Sequence, residues 1–208
     1  MKKIKDYLLL IKPSLSIMVV FSSVMSFMLT PGIKEYTSDS ERWWYVLMLF
    51  VGGMLVTGSA NAINQVSEKD TDAMMKRTAK RPVAAGRMSV TEGWAFAIIT
   101  GIAGVFILGH FLNGLTAGLA AFSLFLYAFI YTPLKKINSI AVLVGAIPGA
   151  LPCLIGWAAG NNDLAMGGWI LFAFQFFWQF PHFWAIAWVA HKDYSAAGFK
   201  LLPSEKGP

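Results

Sequence analysis

Residues 44–66 read WYVLMLFVGGMLVTGSANAINQV and contain no Asp, Glu, Lys or Arg. A helix of about 20 mostly apolar residues is long enough to cross the hydrocarbon core of a bilayer. Five further stretches are comparably apolar and free of charged residues: 14–30, 93–112, 114–131, 139–160 and 168–190. Backbone groups in lipid must pair internally, and these stretches are too evenly apolar for barrel strands. We therefore predict an all-α fold, a polytopic bundle of six transmembrane helices in a single membrane domain, 1–208.

The composition of the whole chain also indicates a membrane protein. Of its 208 residues, 56% are hydrophobic and 13% are charged, whereas an ordinary soluble domain has about 25% charged residues. These values exclude intrinsic disorder and low-complexity classes. The single cysteine excludes a disulfide scaffold and a cysteine-based zinc site. In so apolar a chain, the net charge of +6 indicates membrane topology, and we expect no nucleic-acid partner.

Positive charge is distributed unevenly between the loops. Of the 17 Lys and Arg residues, only Lys34 and Arg42 lie in the loops on one side of the predicted bundle. The positive-inside rule then predicts that both chain ends and the 67–92 loop are cytoplasmic. The N-terminal MKKIKDY lacks the Arg- and Ser-rich composition of a transit peptide. We therefore expect a multi-pass protein of a bacterial plasma (inner) membrane.

A line of polar side chains lies at the cytoplasmic end of the second predicted helix. Asn64, Glu68 and Asp72 recur every four residues, so they share one helix face. Magnesium is commonly bound by one or two carboxylates together with substrate phosphates. Basic residues suited to phosphate oxygens follow in the next loop: Lys76, Arg77, Lys80, Arg81 and Arg87. The alternative is a solvated face next to the membrane, with the basic residues setting only the topology.

A second line of polar side chains lies on the sixth predicted helix. His182 and Asp193 are 11 residues apart, which brings them within about 20° of each other if the helix continues past His191. Asp193 would then lie at the water edge, with His182 roughly 16 Å deeper in the membrane. An ionisable side chain at that depth indicates a functional site. The alternative is a histidine that binds the backbone of a neighbouring helix.

The two lines together suit one reaction class, the departure of diphosphate from an allylic substrate. Acidic side chains would bind a metal, and basic side chains would hold the phosphates. The remaining allylic cation must meet its acceptor before it meets water, so we expect a dry cavity with aromatic walls. A long isoprenoid tail would reach that cavity from the bilayer.

Several segments resemble a known family. Residues 64–82 resemble the N-x-x-x-[DE]-x-x-x-D motif of the UbiA membrane prenyltransferase superfamily. Within them begins EKDTDAMMKRTAKRPVAAGRMS, residues 68–89, which is similar to the protoheme IX farnesyltransferase (heme O synthase) branch. Further matching segments are Lys12-Pro13, 131–157 and 178–203.

The resemblance implies a nine-helix UbiA-type fold and the transfer of a farnesyl group from farnesyl diphosphate to the 2-vinyl group of heme B, which gives heme O. It implies Mg²⁺ as cofactor, held through the diphosphate by Asn64, Glu68 and Asp72, with Asp193 as a further catalytic residue. We interpret His182 as the heme-binding residue. The diphosphate-binding residues would be Lys76, Arg77, Arg81, Lys135 and Lys192. Expected partners are heme B, farnesyl diphosphate, the lipid bilayer, and a downstream heme-modifying enzyme or terminal oxidase.

Two departures from the family pattern qualify these expectations. Asp193 has no acidic partner four residues away, which weakens the case for a second, independently held Mg²⁺. The chain stops after the sixth predicted helix, so we interpret it as C-terminally truncated, with the later helices absent. The alternatives are a UbiA-type prenyltransferase that acts on an aromatic quinone precursor, a non-catalytic heme-handling or oxidase-assembly membrane protein, and a transporter or channel subunit.

Overall fold

The computed structural model describes residues 2–32 and 38–201, with Lys2 described by its backbone alone. The described residues form helices and no strands, which confirms the predicted all-α class. A π-helical segment, Leu126–Tyr131, lies between α6 and α7. The α-helices are α1 (Lys2–Ile11), α2 (Pro13–Met28), α3 (Asp39–Ser67), α4 (Lys69–Met74), α5 (Val90–Phe111), α6 (Gly114–Phe125), α7 (Thr132–Leu134), α8 (Ala141–Asn161), α9 (Met166–Val189) and α10 (His191–Ala196).

The described helices account for four membrane spans by length and composition, or five. The four are Asp39–Ser67, Val90–Phe111, Gly114–Leu134 and Ala141–Asn161. The pair α1 and α2, bent by 43°, adds a fifth if it forms one span. Helix α9 is long enough to cross a membrane, at 24 residues. It is not among the candidate spans, because its two glutamines, its proline and its histidine lower its mean hydropathy. A helix covers most of each predicted stretch, whereas six spans remain a prediction.

Short polar motifs fix where three of the long helices begin. Ser38 accepts a hydrogen bond from the backbone N–H three residues later, at the start of α3. Ser89 does the same at the start of α5, and Asn113 at the start of α6. Each side chain satisfies a backbone donor that the first helical turn leaves unpaired.

Small residues bring the helices close together at the centre of the bundle. A Cβ atom on Gly156 of α8 would overlap with the Ser23 carbonyl oxygen of α2. A Cβ atom on Gly104 of α5 would lie 2.9 Å from the Gly52 carbonyl oxygen of α3. Close backbone approach through small residues is typical of helix packing in membranes. As a result, most of α8 is buried between its neighbours.

The break between α1 and α2 is held by two buried amides of α3. Lys12, at the break, has a left-handed backbone with φ of 49°. Gln65 donates to the carbonyl oxygen of Leu10 at 2.8 Å, and Asn61 donates to that of Ile11 at 3.2 Å. The Ile11 carbonyl also accepts from the Ser16 hydroxyl at 2.7 Å, so side chains satisfy the carbonyl groups that the end of α1 leaves without helical partners. The two amides thus anchor the position of Lys12 against α3.

Candidate active site

The predicted polar line lies on one face at the junction of α3 and α4. Glu68 leaves helical geometry, with φ of −105° and ψ of 17°, yet four-residue backbone hydrogen bonds continue on both sides of it. The Glu68 N–H donates to the Asn64 carbonyl at 3.0 Å, and the Asp72 N–H donates to the Glu68 carbonyl at 2.7 Å. The three side chains therefore stay together and are buried. The Asn64 amide donates to Glu68 Oε2 at 2.6 Å.

Arg81 closes over Asp72 from the loop that follows α4. Its Nη1 lies 2.7 Å from each carboxylate oxygen of Asp72, and its side chain is 19% exposed whereas that of Asp72 is fully buried. The Thr78 hydroxyl donates to the Asp72 carbonyl at 2.9 Å and holds the loop in place. Burial raises the pKa of the Asp72 carboxyl above its ordinary value, and the hydrogen bonds from Arg81 oppose that rise.

Lys135 approaches the same face from the other side of the bundle, directly after α7. Its Nζ lies 2.7 Å from Glu68 Oε1, and both side chains are buried. The ammonium group also lies 5.0 Å from the ring centre of Tyr131 and 5.4 Å from that of Phe199. Burial lowers the pKa of Lys135, and the carboxylate of Glu68 opposes that fall. The backbone of Lys200 fixes this turn by donating to the Lys135 carbonyl at 2.8 Å.

Lys12 is a third basic residue of this cluster, which the sequence analysis did not include among the site residues. From the break between α1 and α2, its charge interacts with the carboxylates of Glu68 and Asp72 and with the cations Arg81 and Lys135. The available signal was a lysine between two apolar stretches, directly before a proline. The two ion pairs cancel in formal charge, and Lys12 adds a further amine near them.

An apolar cavity of about 140 Å³ lies inside the bundle. Its lining comes from α2, α3, α5, α6, α8 and the π-helical segment, and it includes Asn61 and Tyr127. The Tyr127 ring centre lies 5.4 Å from that of Tyr131, and the Tyr131 ring centre lies 5.0 Å from the ammonium group of Lys135. Single π-helical turns occur frequently at functional sites. The two tyrosines, which the sequence analysis missed, therefore lie where the cavity meets the charges.

The remaining predicted diphosphate ligands lie outside the cluster. Arg77 is exposed, donates to the Tyr194 hydroxyl at 3.3 Å, and lies 5.9 Å from the centre of that ring. Lys76 and Lys192 are exposed, and their side chains have no hydrogen bond or ion pair within residues 2–32 and 38–201. Only Arg81 and Lys135 of the five predicted residues contact the carboxylates.

The predicted alignment of His182 with Asp193 stays a prediction. The backbone leaves helical geometry at Ala190, yet four-residue hydrogen bonds continue on both sides of it: the Ala190 N–H donates to the Ile186 carbonyl, and the Tyr194 N–H donates to the Ala190 carbonyl. Helix α9 ends at Val189, and α10 begins at His191 after a break at Ala190. Tyr194 of α10 packs into an apolar cluster with residues of the π-helical segment and α8. His182 is exposed on α9, and Asp193 is half-buried. In the described part of the chain, neither side chain has a hydrogen bond or an ion pair.

The oxygen atoms at the α3–α4 junction fit a magnesium ion that arrives with a phosphate ligand. Within the described residues, no three His, Cys, Asp or Glu side chains converge as a metal site. The junction instead offers two carboxylates and one amide, from Glu68, Asp72 and Asn64. Magnesium commonly takes one or two protein carboxylates and completes its shell with substrate phosphates and water.

Comparison with known proteins relates the chain to membrane prenyltransferases. It is 46% identical over 201 residues to a protein of Flavobacterium psychrophilum named protoheme IX farnesyltransferase, a match that covers 97% of this chain and 65% of the relative. It is 41% identical over 191 residues to the mitochondrial protoheme IX farnesyltransferase of Arabidopsis thaliana, which covers 92% of this chain and 43% of the relative. The chain thus spans about two thirds of the length of the first of these relatives.

The fold is similar to that of a solved UbiA homologue from Archaeoglobus fulgidus. The structure of that homologue bound to GPP and Mg²⁺ superimposes with a TM-score of 0.73 at 17% sequence identity, covering 94% of this chain and 67% of the homologue. The structure bound to DMAPP and Mg²⁺ gives a TM-score of 0.74. The profile of the UbiA prenyltransferase family matches residues 17–208. This multi-pass membrane protein therefore belongs to the UbiA prenyltransferase family.

Proposed function

We propose that the protein transfers a farnesyl group from farnesyl diphosphate to the 2-vinyl group of heme B, with addition of water, to give heme O and diphosphate. The observation that carries this proposal is the pair of buried ion pairs, Arg81 with Asp72 and Lys135 with Glu68, in a bundle that also encloses an apolar cavity. The names of the similar relatives support farnesyl as the donor group and protoheme IX as the acceptor.

In this proposal Glu68 and Asp72 would bind the magnesium ion that accompanies the diphosphate, and Asn64 orients Glu68 through its amide. Magnesium bound there would neutralise negative charge on the departing diphosphate. Arg81 and Lys135 donate hydrogen bonds to the diphosphate oxygens, and Lys12 adds a further amine near them. Charge-assisted donors placed around a leaving group stabilise the transition state because they need no reorganisation during the reaction.

We assign supporting roles to the predicted residues that lie farther from the carboxylates. Long-range attraction draws the anionic ligand towards the exposed side of the site, which we call its mouth. The exposed cations there are Arg77, Lys76 and Lys192. Asp193 is proposed as a further catalytic residue on the α10 side. Its half-buried position beside the Tyr194 contact to Arg77 supports a role at that mouth.

The apolar cavity is proposed to receive the reacting end of the isoprenoid chain. Tyr127 and Tyr131 present aromatic rings between the cavity and the charges. Aromatic faces attract cations, so the two rings stabilise positive charge that develops on the allylic carbon. The mostly apolar lining keeps water away from that carbon until the acceptor reacts.

His182 is proposed to bind the heme acceptor from α9. Its exposed ring, without a hydrogen-bond partner in the described part of the chain, is available to a ligand, and a neutral imidazole is a common axial ligand of heme iron. We further propose that the protein lies in a bacterial inner membrane with the site on the cytoplasmic side, as the charge asymmetry of the loops favours. A downstream heme-modifying enzyme or a terminal oxidase would then take its product.

Mass spectrometry of extracted hemes tests the proposal. Membranes that contain the protein are supplied with heme B, farnesyl diphosphate and Mg²⁺, and a parallel sample contains EDTA. We expect a heme heavier by one farnesyl group plus water, formed only when Mg²⁺ is present. A farnesylated aromatic quinone precursor instead, in membranes supplied with both acceptors, would contradict heme as the acceptor. Binding of heme without any consumption of farnesyl diphosphate would contradict catalysis altogether.

A further inference from the structure

The four carboxylate oxygens of Glu68 and Asp72 all contact another group, although Oε1 of Glu68 has an ionic contact and no hydrogen bond. Arg81 contacts both oxygens of Asp72 at 2.7 Å. Lys135 contacts one oxygen of Glu68 at 2.7 Å, and the Asn64 amide contacts the other at 2.6 Å. A divalent cation that binds Asp72, or that takes both oxygens of Glu68, must therefore compete with Arg81 or Lys135. Removing one partner from a buried ion pair leaves an uncompensated charge, which is strongly destabilising.

The charge balance of the cluster disfavours a free metal ion. Arg81 and Lys135 against Glu68 and Asp72 give a formal charge of zero, and a bare divalent cation would raise this to +2. A prenyl diphosphate carries roughly three negative charges, about two of them on its terminal phosphoryl group. Metal and diphosphate together would bring the cluster close to neutral. Nearby charges are poorly screened in buried surroundings. The electrostatic free energy therefore strongly favours binding of metal and diphosphate together over binding of the metal alone.

Both cations are also placed to change partners. Lys135 has a long flexible side chain, and its ammonium group already lies near the faces of two aromatic rings, which stabilise a cation away from Glu68. Arg81 is partly exposed at the mouth of the site, and its planar guanidinium binds phosphate oxygens as well as it binds carboxylate. The backbone near Lys135 is fixed by Lys200, so the side chain alone needs to move.

We propose that Lys135 and Arg81 are exchangeable counter-ions, which keep Glu68 and Asp72 closed to a free divalent cation and release them only when diphosphate oxygens take over both cations. The ligand that the site recognises is then the magnesium diphosphate unit, rather than a metal ion followed by a diphosphate. This inference rests on the proposed function, since it concerns the same site.

Two binding measurements on the purified protein in detergent test this exchange. Binding of free Mn²⁺, used in place of Mg²⁺, is followed by electron paramagnetic resonance of the unbound ion. Binding of radiolabelled inorganic diphosphate is followed by equilibrium dialysis at saturating Mg²⁺. The variants are Lys135→Met and Arg81→Met. Lys69→Met is the matched control, because Lys69 is an exposed cation adjacent in sequence to Glu68.

The two ligands should respond in opposite directions. In Lys135→Met and Arg81→Met we expect free Mn²⁺ to bind at least about tenfold more tightly, because the competing cation is gone. Diphosphate should bind at least about tenfold more weakly, because a donor is lost. The double variant Glu68→Gln with Lys135→Met should lose the gain in Mn²⁺ affinity. The control should change neither affinity by more than about twofold.

The outcomes separate the two proposals. Unchanged or weaker Mn²⁺ binding in both variants, while the unmodified protein binds diphosphate with Mg²⁺, would overturn the exchange and leave the proposed function intact. A parallel loss of both ligands in both variants would assign the two cations a purely structural role and would also overturn it. Failure of the unmodified protein to bind diphosphate at any Mg²⁺ concentration would overturn the proposed function itself.

Discussion

The two helix junctions of this protein differ in what surrounds their polar side chains. At the α3–α4 junction, Glu68 and Asp72 are buried, and each contacts a cation from another element. Around the α9–α10 junction, His182 is exposed eight residues before the break at Ala190, and Asp193 is half-buried three residues after it. Within the described residues neither side chain has an ionic or hydrogen-bonded partner. Spacing along a helix can place side chains on one face, but a charged site forms only where other elements supply the opposite charges.

The largest effect is expected when the ion pair at the first junction is broken. The substitution Glu68→Gln leaves the buried ammonium of Lys135 uncompensated, so the free energy of unfolding should fall by about 3–5 kcal/mol. The double variant with Lys135→Met should regain most of that loss. Thermal unfolding in detergent measures both variants. A double variant less stable than either single variant would show that the pair does not act as a unit.

The same variant should make stability depend on pH. Burial lowers the pKa of Lys135 from 10.5, and Glu68 opposes that shift, so the pKa falls further in Glu68→Gln. Between the lowered pKa of the folded protein and about 10.5, the unfolded chain then binds more protons than the folded protein, and stability rises with pH in that window. Unfolding midpoints measured from pH 6 to pH 10 should therefore increase more steeply than in the unmodified protein. Parallel curves would contradict the Glu68–Lys135 contact.

Ligand binding should be most sensitive at the centre of the first junction. Asp72→Asn should weaken Mg²⁺-dependent binding of diphosphate by about 100-fold, or roughly 2.7 kcal/mol, because Arg81 loses its carboxylate and the metal loses a ligand. Equilibrium dialysis with labelled diphosphate measures this change. Asp70→Asn is the control, because Asp70 is an exposed acid on the same short helix. Near-normal binding by Asp72→Asn would refute its assignment to the metal site.

The second junction should respond to a different ligand. His182→Ala is expected to weaken heme binding by about tenfold, roughly 1.4 kcal/mol, and to leave diphosphate binding unchanged. Heme titration followed by absorbance provides the measurement, and His191→Ala on the other side of the break at Ala190 is the control. Equal losses for heme and diphosphate would indicate a packing role for His182 and remove the distinction between the two junctions.

The smallest effect is expected at the contact that links the two junctions. Tyr194→Phe removes the hydroxyl that accepts from Arg77 at 3.3 Å, an exposed interaction worth about 0.5 kcal/mol or less. Diphosphate binding should therefore weaken by no more than about threefold. A loss as large as that of Asp72→Asn would mean that α10 belongs to the diphosphate site rather than to its mouth.

Local patterns in the sequence predicted a large part of the fold. The apolar stretches lie largely within helices, and the serine caps of α3 and α5 follow directly from local residue types. The number of membrane spans is harder to predict from the sequence. Helix α9 is long enough to span a membrane but contains polar residues, so only its surroundings decide whether it lies in lipid. The break at Ala190 was also missed, since no proline or glycine marks it.

By itself, the sequence determined that the chain is helical, that it belongs in a membrane, and that Asn64, Glu68 and Asp72 share one face. These properties depend on composition and on the helical repeat, which are local. The tertiary structure alone decided which cations meet the carboxylates. Lys135 is 67 residues from Glu68 along the chain, and Lys12 reaches the cluster only because α3 amides hold a break between two helices. No local periodicity encodes such contacts, because they form when separate helices pack around a common buried charge.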